Sequence, residues 1–241
     1  MSRFYYHVTH FVLAGLPRLA SRLYQSGFEN VPREGPALLL ANHISHFDPQ
    51  LLAWGLPRRV DYMADKPLLE IPVLGWMMRK SGSFPIDRTK PVDRAALRTA
   101  MEKLKAGDIV GIFPETGIRH GEHAVLGGKA ELPVGTAGLW QMMNVPVLPM
   151  VILGSDQLYA LKNYFRRPRV FVRAGKLLPP DKDASREEMR DRIVTAWREL
   201  YDGILRDYNL QPDEFPQSAH KRWGVPEPEF KQRKATPPTT R

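Results

Sequence analysis

The chain contains no cysteine, which excludes thiol nucleophiles, disulfides and cysteine-ligated metal sites. This absence fits a reducing compartment. The sequence also lacks an unbroken apolar run of the roughly 18 to 20 residues that a membrane-spanning helix requires. The best candidate, residues 4–23, contains Pro17, two histidines and two arginines. Acidic residues are missing from the stretch 157–180, which carries six cations: Lys162, Arg166, Arg167, Arg169, Arg173 and Lys176.

The charge balance indicates an anionic partner or substrate. Lysine and arginine total 35 against 26 acidic residues, for a net charge of +9. Nucleic acid, acidic lipid and phosphorylated metabolites all satisfy this criterion. The basic stretch can also be no more than a solvated edge of the fold. Beside an apolar N-terminus it suits an anionic membrane surface, where each Lys or Arg contributes about 1 kcal/mol.

The first 30 residues are predicted to form a helical segment that contacts a membrane. Residues 4–23 are aromatic and mildly basic, as in helices that lie in the plane of the interface. They lack the charged-then-apolar order and the cleavage site of a secretory signal. The alternative is a helix packed on its own domain.

From residue 31 to 210 the pattern predicts one α/β domain. Apolar runs predict strands at 37–41, 60–64, 82–86, 108–113 and 147–153, and an alternating edge strand at 169–173. Helical patterns lie between them, near 49–56, 67–80, 91–106, 135–143 and 185–208. Alternation at this spacing is typical of a largely parallel mixed sheet covered by helices on both faces. Residues 211–241 are proline-rich, basic and poor in apolar side chains, which predicts a disordered tail.

A histidine and a carboxylate follow the first predicted strand. The run at 37–41 is followed by the residues N-H-I-S-H-F-D, which place His43 five residues before Asp48. An imidazole oriented by a carboxylate is a common general base for a hydroxyl group. Asp48 precedes Pro49, so it can instead be a helix N-cap. His43 and His46 can be ordinary core or surface residues, or metal ligands with Asp48, although no further ligand lies nearby.

Three further blocks lie at predicted strand ends. They are G-S-F-P-I-D-R at 82–88, I-F-P-E-T-G-I-R-H at 112–120 and V-P-V-L-P at 145–149. In this order, and together with the histidine block, they resemble the glycerolipid acyltransferase family, whose bacterial members include 1-acyl-glycerol-3-phosphate acyltransferases. The resemblance covers roughly residues 37–153.

The resemblance implies a role for individual residues. His43 matches the family's catalytic base and Asp48 its orienting carboxylate, while Pro146 and Pro149 match a block that shapes the floor beside the acyl channel. Five residues match substrate-binding positions: Lys66, Arg88, Glu115, Gly117 and Arg119.

The third block departs from the family. The family pattern F-P-E-G-T-R is here F-P-E-T-G-I-R, so that glycine and threonine are exchanged and Arg119 comes one position late. A different loop path is therefore expected if Arg119 is to reach the same substrate oxygen. Without the surrounding blocks, a surface ion pair with Asp87 or Glu115 would be the favoured explanation of the two arginines.

The implied activity is transfer of a fatty acyl group from acyl-CoA or acyl-ACP to the hydroxyl of 1-acyl-glycerol-3-phosphate or a related lysolipid. No metal or tightly bound cofactor is expected. The expected partners are a membrane lipid surface, the lysolipid acceptor, the acyl thioester and acyl carrier protein, with no nucleic acid. The expected location is the cytoplasmic face of a membrane, as a peripheral or monotopic protein.

Other hypotheses remain open from the sequence alone. They are a non-catalytic basic lipid-binding module, a hydrolase with the same histidine and aspartate, and acylation of a different lysophospholipid or lipid alcohol. A covalent acyl-serine route through Ser45 or Ser83 is disfavoured, because neither lies in G-x-S-x-G.

Overall fold

The computed structural model describes residues 15–90, 92–160 and 162–226. Within these ranges seven strands form one sheet: β1 (Arg22–Ser26), β2 (Ala37–Ala41), β3 (Val60–Asp65), β4 (Phe84–Ile86), β5 (Ile109–Ile112), β6 (Val147–Leu153) and β7 (Arg169–Ala174). Residues 15–19 are helical. The α-helices that follow are α1 (Asp48–Ala53), α2 (Lys66–Glu70), α3 (Pro72–Lys80), α4 (Arg94–Lys105), α5 (Val134–Met143), α6 (Lys162–Arg166), α7 (Arg186–Tyr208) and α8 (Ala219–Trp223). Short 3-10 helices occur at Phe28–Asn30, Gly121–His123, Ser155–Tyr159 and Pro212–Glu214.

The sheet is mixed but mainly parallel, which confirms the predicted fold class. Its strand order is β1-β7-β6-β2-β5-β3-β4. Five neighbouring strands, from β6 to β4, run in one direction, while β7 is antiparallel to β6 and β1 is parallel to β7. The carboxyl ends of β2, β3, β5 and β6 therefore meet at one edge of the sheet, which we call the carboxyl edge. In open α/β sheets, ligands bind outside this edge.

The central strand β2 is buried on both faces. Leu38 and Leu40 contribute to one apolar cluster, and Ala37 and Leu39 contribute to the other. Successive side chains of a strand point to opposite faces, so a strand covered on both sides becomes a continuous apolar run. This explains why the run A-L-L-L-A predicted a buried strand correctly.

Helix termini follow local rules. The predicted helical stretch at 67–80 is two helices, because Pro72 begins α3 and holds Ile71 in an extended conformation. Helix α7 begins with the predicted capping box: Ser185 Oγ accepts a hydrogen bond from the Glu188 amide, and the Glu188 carboxylate accepts one from the Ser185 amide.

The prediction for the N-terminal segment is wrong at its C-terminal end. Residues 22–26 form β1, which pairs with β7 in register from Arg22 opposite Arg169. As a result β7 is an internal strand and not the edge strand that its alternating pattern indicated. Residues 1–14, which carry most of the predicted interfacial helix, lie outside the described residues. No helix within the described ranges is both long and apolar enough to cross a bilayer.

The predicted disordered tail is wrong over its first half. Residues 212–214 form a 3-10 helix and Ala219–Trp223 form α8. Glu214 is buried and makes a two-point ion pair with the guanidinium of Arg169. Polar contacts of this kind order a segment without a large apolar surface, which composition alone does not reveal. The remainder of the predicted tail, 227–241, is outside the described residues.

Candidate active site

His43 and Asp48 meet at the carboxyl edge. His43 follows β2 in the loop that leads to α1, and Asp48 is the first residue of α1. The His43 Nδ1 and Asp48 Oδ2 atoms are 2.9 Å apart. An ionised carboxylate only accepts hydrogen bonds, so Nδ1 carries the proton and Nε2 is the basic nitrogen. The His43 side chain is 17% exposed and that of Asp48 is fully buried.

The buried Asp48 carboxylate has several other donors. Its Oδ2 also accepts hydrogen bonds from the amides of Ile44 at 2.7 Å and Ser45 at 2.8 Å. Its Oδ1 accepts from the hydroxyls of Ser45 and Ser155. These donors offset the desolvation of a buried charge. Asp48 is not a helix N-cap: Phe47 holds that position, so the structural alternative for Asp48 is wrong.

Ser155 was missed by sequence reasoning. It is fully buried and lies two residues after β6, at the start of the 3-10 helix Ser155–Tyr159. The one available signal was its position directly after a predicted buried strand. Strand ends far apart in sequence meet at the carboxyl edge, which makes polar residues there candidates for one site.

A cavity of about 540 Å³ opens beside His43. This volume lies within the roughly 300 to 1,000 Å³ of small-molecule sites. Its walls are mainly apolar side chains from α1, β3, α2, α3 and the loop after β5: Phe47, Pro49, Ala53, Val60, Tyr62, Met63, Ala64, Leu68, Leu74, Met78, Phe113 and Ile118. Polar wall residues include His46, Ser83 and Arg88. The His43 imidazole thus borders a mainly apolar cavity, and the cationic residue Arg88 lies on the wall of that cavity.

Aromatic rings hold the orientation of His43. The imidazole stacks on Phe113, with ring centroids 4.2 Å apart and an interplanar angle of 23°. Phe113 stacks in turn on Tyr62 at 5.7 Å. Together with the bond to Asp48, this stack restricts rotation of the ring about its side-chain torsions.

His46 lies on the cavity wall and pairs with Tyr159. The Tyr159 hydroxyl accepts a hydrogen bond from the His46 amide at 3.0 Å and lies 2.6 Å from His46 Nδ1. Surrounding protein lowers the pKa of His46 by desolvation, and nearby His43 lowers it further, although the side chain is exposed at the cavity mouth. His46 and His43 therefore have separate partners.

Glu115 ties the loop after β5 to the loop after β2. One carboxylate oxygen accepts the His43 amide and the other accepts the Val125 amide, both at 2.9 Å. The Arg119 amide donates to the His43 carbonyl at 2.7 Å. Burial raises the pKa of Glu115, and the two backbone hydrogen bonds oppose this shift. The backbone of His43 is thus held on both sides by residues 115–119.

The exchanged glycine and threonine give this loop its own path. Thr116 has a φ of 60°, which is a left-handed conformation. The family pattern has glycine at this position. For a residue with a side chain this conformation costs roughly 1 to 2 kcal/mol. The Arg119 side chain folds back along the loop, where it donates to the Glu115 carbonyl at 3.1 Å and to Thr116 Oγ1 at 3.3 Å.

Comparison with known proteins identifies the family. The Acyltransferase family model matches residues 22–153, more than half of the chain. The chain belongs to the acyltransferase family. The matched range contains all four blocks, and the family assignment confirms that the protein is an acyltransferase enzyme.

Curated relatives and a solved structure agree with this assignment. The chain is 28% identical over 230 residues to a Saccharomyces cerevisiae 1-acyl-sn-glycerol-3-phosphate acyltransferase, covering 90% of this chain and 72% of the relative. It is 32% identical over 151 residues to the Bacillus subtilis protein of the same name, covering 62% and 70%. The crystal structure of Thermotoga maritima PlsC, a 1-acyl-sn-glycerophosphate acyltransferase, superimposes with a TM-score of 0.66 at 23% identity, covering 86% of each chain. This superposition supports the α/β fold.

The acyltransferase brings some predicted site residues together and leaves others apart. Arg88 and Gly117 line the cavity beside His43. Arg119 lines a second depression of about 440 Å³ together with Glu115 and Thr116, and Thr116 also lines the cavity beside His43. Lys66 begins α2 as a half-exposed side chain 3.9 Å from Glu70, and it is not among the residues that line the cavity.

Replacement of Glu115 by glutamine should destabilise this acyltransferase. A glutamine has one acceptor oxygen, so one of the two buried amides loses its partner, at a cost of roughly 1 to 3 kcal/mol. Urea unfolding of Glu115→Gln against Glu122→Gln, an exposed carboxylate in the same loop, measures the difference. Equal unfolding midpoints for the two variants would show that Glu115 does not hold the loops.

Proposed function

We propose that this acyltransferase moves a fatty acyl group from a thioester, acyl-CoA or acyl-ACP, to the free hydroxyl of 1-acyl-glycerol-3-phosphate or a closely related lysolipid. The observation that carries the proposal is the His43–Asp48 pair beside an apolar cavity whose wall includes Arg88. The yeast and bacterial relatives are named for this acceptor, which supports the proposal.

His43 is the general base in this mechanism. Its Nε2 takes the proton from the acceptor hydroxyl as the oxygen attacks the thioester carbon. The tetrahedral intermediate collapses by breaking the carbon–sulfur bond, and the imidazolium returns the proton to the departing thiolate. Asp48 holds the tautomer and stabilises the imidazolium. Base catalysis of this kind contributes typically about 10² to 10⁴-fold.

The oxyanion of the intermediate needs donors that are already in place. The loop after Phe113 brings Thr116 and Gly117 to the cavity wall, and we assign this role to its backbone amides. Lys66 lies outside the cavity lining. One donor of this kind contributes about 3 kcal/mol to the transition state.

The apolar wall of the cavity accommodates the acyl chain. Each buried methylene group contributes about 0.8 kcal/mol, so a chain-length preference follows from the depth of the cavity. Arg88 lies on the same wall, where its guanidinium can grip the acceptor phosphate through two parallel hydrogen bonds. Arg119, in the second depression, is a further contact for the same anionic head group. The reaction as written needs no metal or tightly bound cofactor.

Substitution of the pair should abolish transfer. His43→Ala and Asp48→Asn are each expected to lower kcat by about 100-fold or more, because each removes base catalysis. The assay is a panel of lysolipids with acyl-CoA and with acyl-ACP, with products detected by mass spectrometry. The control is Asp191→Asn, an exposed carboxylate on α7 that lines neither the cavity nor the depression of Arg119.

Each outcome of this assay separates the proposal from its alternatives. Near wild-type turnover in folded His43→Ala contradicts the base role. If the wild-type protein binds lipid but forms no acylated product, the non-catalytic lipid-binding module is the correct alternative. Free fatty acid formed without an acceptor identifies a hydrolase. A product from another lysophospholipid or lipid alcohol alone moves the acceptor assignment to that compound.

Loss of Arg88 should affect the acceptor selectively. Hydrogen bonds to a charged group contribute about 1.5 to 3 kcal/mol, so Arg88→Ala is expected to raise the acceptor KM by about tenfold or more, with little change in the donor KM. Steady-state kinetics with each substrate varied in turn measures both. Lys90→Ala, a neighbouring exposed cation that pairs with Asp87, is the control. An equal rise in both KM values contradicts the phosphate role.

We further propose that the carboxyl edge docks on a lipid surface, at the cytoplasmic face of a membrane. Large apolar side chains exposed to solvent lie on segments that flank this edge: Leu16, Leu19, Ile71, Val73, Trp76, Phe165, Trp223 and Val225. Helices α2 and α3 follow β3. They carry Leu68 and Leu74, which line the cavity, and α3 also carries the exposed Val73 and Trp76. An apolar face of this kind, on a protein of net charge +9, matches an anionic bilayer, and the lipid acceptor then enters without crossing water.

Trp76 provides a direct test of this docking. Trp76→Ser should weaken sedimentation with vesicles of phosphatidylglycerol and phosphatidylcholine by about tenfold, because an aromatic side chain contributes about 1.5 to 3 kcal/mol when it leaves water. Met142→Ser is a matched control: Met142 is 51% exposed against 48% for Trp76. It lies in the last turn of α5, which leads to the start of β6 at the opposite edge of the sheet. Equal loss in both variants contradicts docking through the carboxyl edge.

A further inference from the structure

The C-terminal residues 211–226, which we call the strap, cross the carboxyl edge and contact the 3-10 helix Ser155–Tyr159. Asp156 in that helix is fully buried. Its Oδ2 accepts hydrogen bonds from Arg222 Nε at 2.7 Å and from the Gln217 amide at 2.9 Å. The Arg222 side chain is only 7% exposed. A buried ion pair therefore joins the strap to this helix.

The next residue along the same helix contacts the proposed catalytic carboxylate. Ser155 Oγ donates to Asp48 Oδ1 and lies 3.0 Å from Ser45 Oγ. Ser155 and Asp156 share a peptide bond, so a shift of Asp156 moves Ser155 as well. The buried ion pair at Asp156 and the hydrogen bond to Asp48 at Ser155 are thus made by adjacent residues.

The strap also holds the far end of the helix. Trp223 Nε1 donates to the Tyr159 carbonyl at 2.8 Å. The Tyr159 hydroxyl contacts His46, which lies on the cavity wall. One end of the 3-10 helix therefore bonds to Asp48, the partner of His43, and the other end bonds to His46.

The strap is itself anchored to the sheet. Glu214 makes a two-point ion pair with Arg169 at the start of β7. The Arg222 guanidinium donates to the Phe215 carbonyl at 3.0 Å, which closes the strap on itself. These contacts make the position of Arg222 depend on the fold of residues 211–226.

We propose that the strap is a positioning element of the active centre, in which Arg222, through Asp156, places Ser155 so that its hydroxyl holds Asp48 against His43. Ser155 and Arg222 are positioning residues, since they act through Asp48. The inference rests on the proposed acyl transfer with His43 as base. Small misplacements of catalytic groups of about 1 Å cost up to about 10²-fold in rate, so a strap that sets this geometry affects turnover more than substrate binding.

The test compares Ser155→Ala, Arg222→Ala and Arg222→Lys with a matched control. The control is Arg173→Ala. Arg173 is largely buried, lies at the C-terminal end of β7, away from Arg169, and pairs with Asp207 of α7. Two quantities are measured: kcat and KM for both substrates, and the low-field NMR resonance of the His43 Nδ1 proton. This resonance reports the hydrogen bond to Asp48 without any turnover.

We expect Ser155→Ala and Arg222→Ala to lower kcat by about tenfold to 100-fold with both KM values within about twofold of wild type. The His43 resonance should move upfield or broaden. Arg222→Lys should restore part of kcat and part of the wild-type resonance relative to Arg222→Ala. Arg173→Ala should leave kcat and the resonance unchanged even where it lowers thermal stability.

An unchanged resonance and an unchanged kcat in folded Ser155→Ala overturn the inference. A fall in kcat without a change in the resonance overturns it as well. If Arg222→Ala does not fold, Ser155→Ala decides, because it removes one hydroxyl and leaves the ion pair intact. If the wild type transfers no acyl group while the resonance still responds to both substitutions, the proposed function fails and the positioning role of the strap stands.

Discussion

The proposed active centre depends on a buried carboxylate and on the hydrogen-bond donors that offset the cost of burying it. Asp48 has no contact with water, and its two oxygens accept hydrogen bonds from one imidazole, two backbone amides and two hydroxyls. A buried charge without donors is costly, so each of these groups has to be in place in the folded protein. The donors come from the loop after β2 and from the helix after β6, while Asp48 itself begins α1. The requirement to satisfy one carboxylate therefore joins three segments into a single site.

The parallel sheet makes this convergence possible. The carboxyl ends of β2, β5 and β6 lie side by side, because these strands are neighbours in the sheet. The loop after β2 supplies His43, the loop after β5 supplies Phe113, Glu115 and the wall beside the imidazole, and the turn after β6 supplies Ser155. Hydrogen bonds between the loops, such as that from the His43 amide to the Glu115 carboxylate, keep the imidazole between the Asp48 carboxylate and the apolar cavity. Such an arrangement suits a base that acts on a lipid hydroxyl.

Local sequence patterns predicted most elements of the sheet and the core. The run A-L-L-L-A predicted β2 because both of its faces are buried, and Pro72 and Ser185 mark helix starts through their own backbone and side-chain chemistry. The strand β1 was missed since R-L-Y-Q-S has little apolar content, and it becomes a strand only by pairing with β7 about 147 positions later. The order in 211–226 was missed for a similar reason. It comes from Glu214 with Arg169 and from Arg222 with Asp156, and neither pair is visible in composition.

The sequence by itself determined the family, the spacing of His43 and Asp48 and the apolar runs of the central strands, because these are encoded by neighbouring residues and by the period of a strand or helix. Only the tertiary structure decided that Asp48 binds Ser155 across 107 positions, that Arg88 shares a cavity with His43 while Lys66 stays at the surface, and that Arg222 reaches the helix beside the site. These contacts depend on which strands are neighbours and on how loops from separate strands turn at a common edge. Strand order arises from packing of the whole domain, and no local pattern records it.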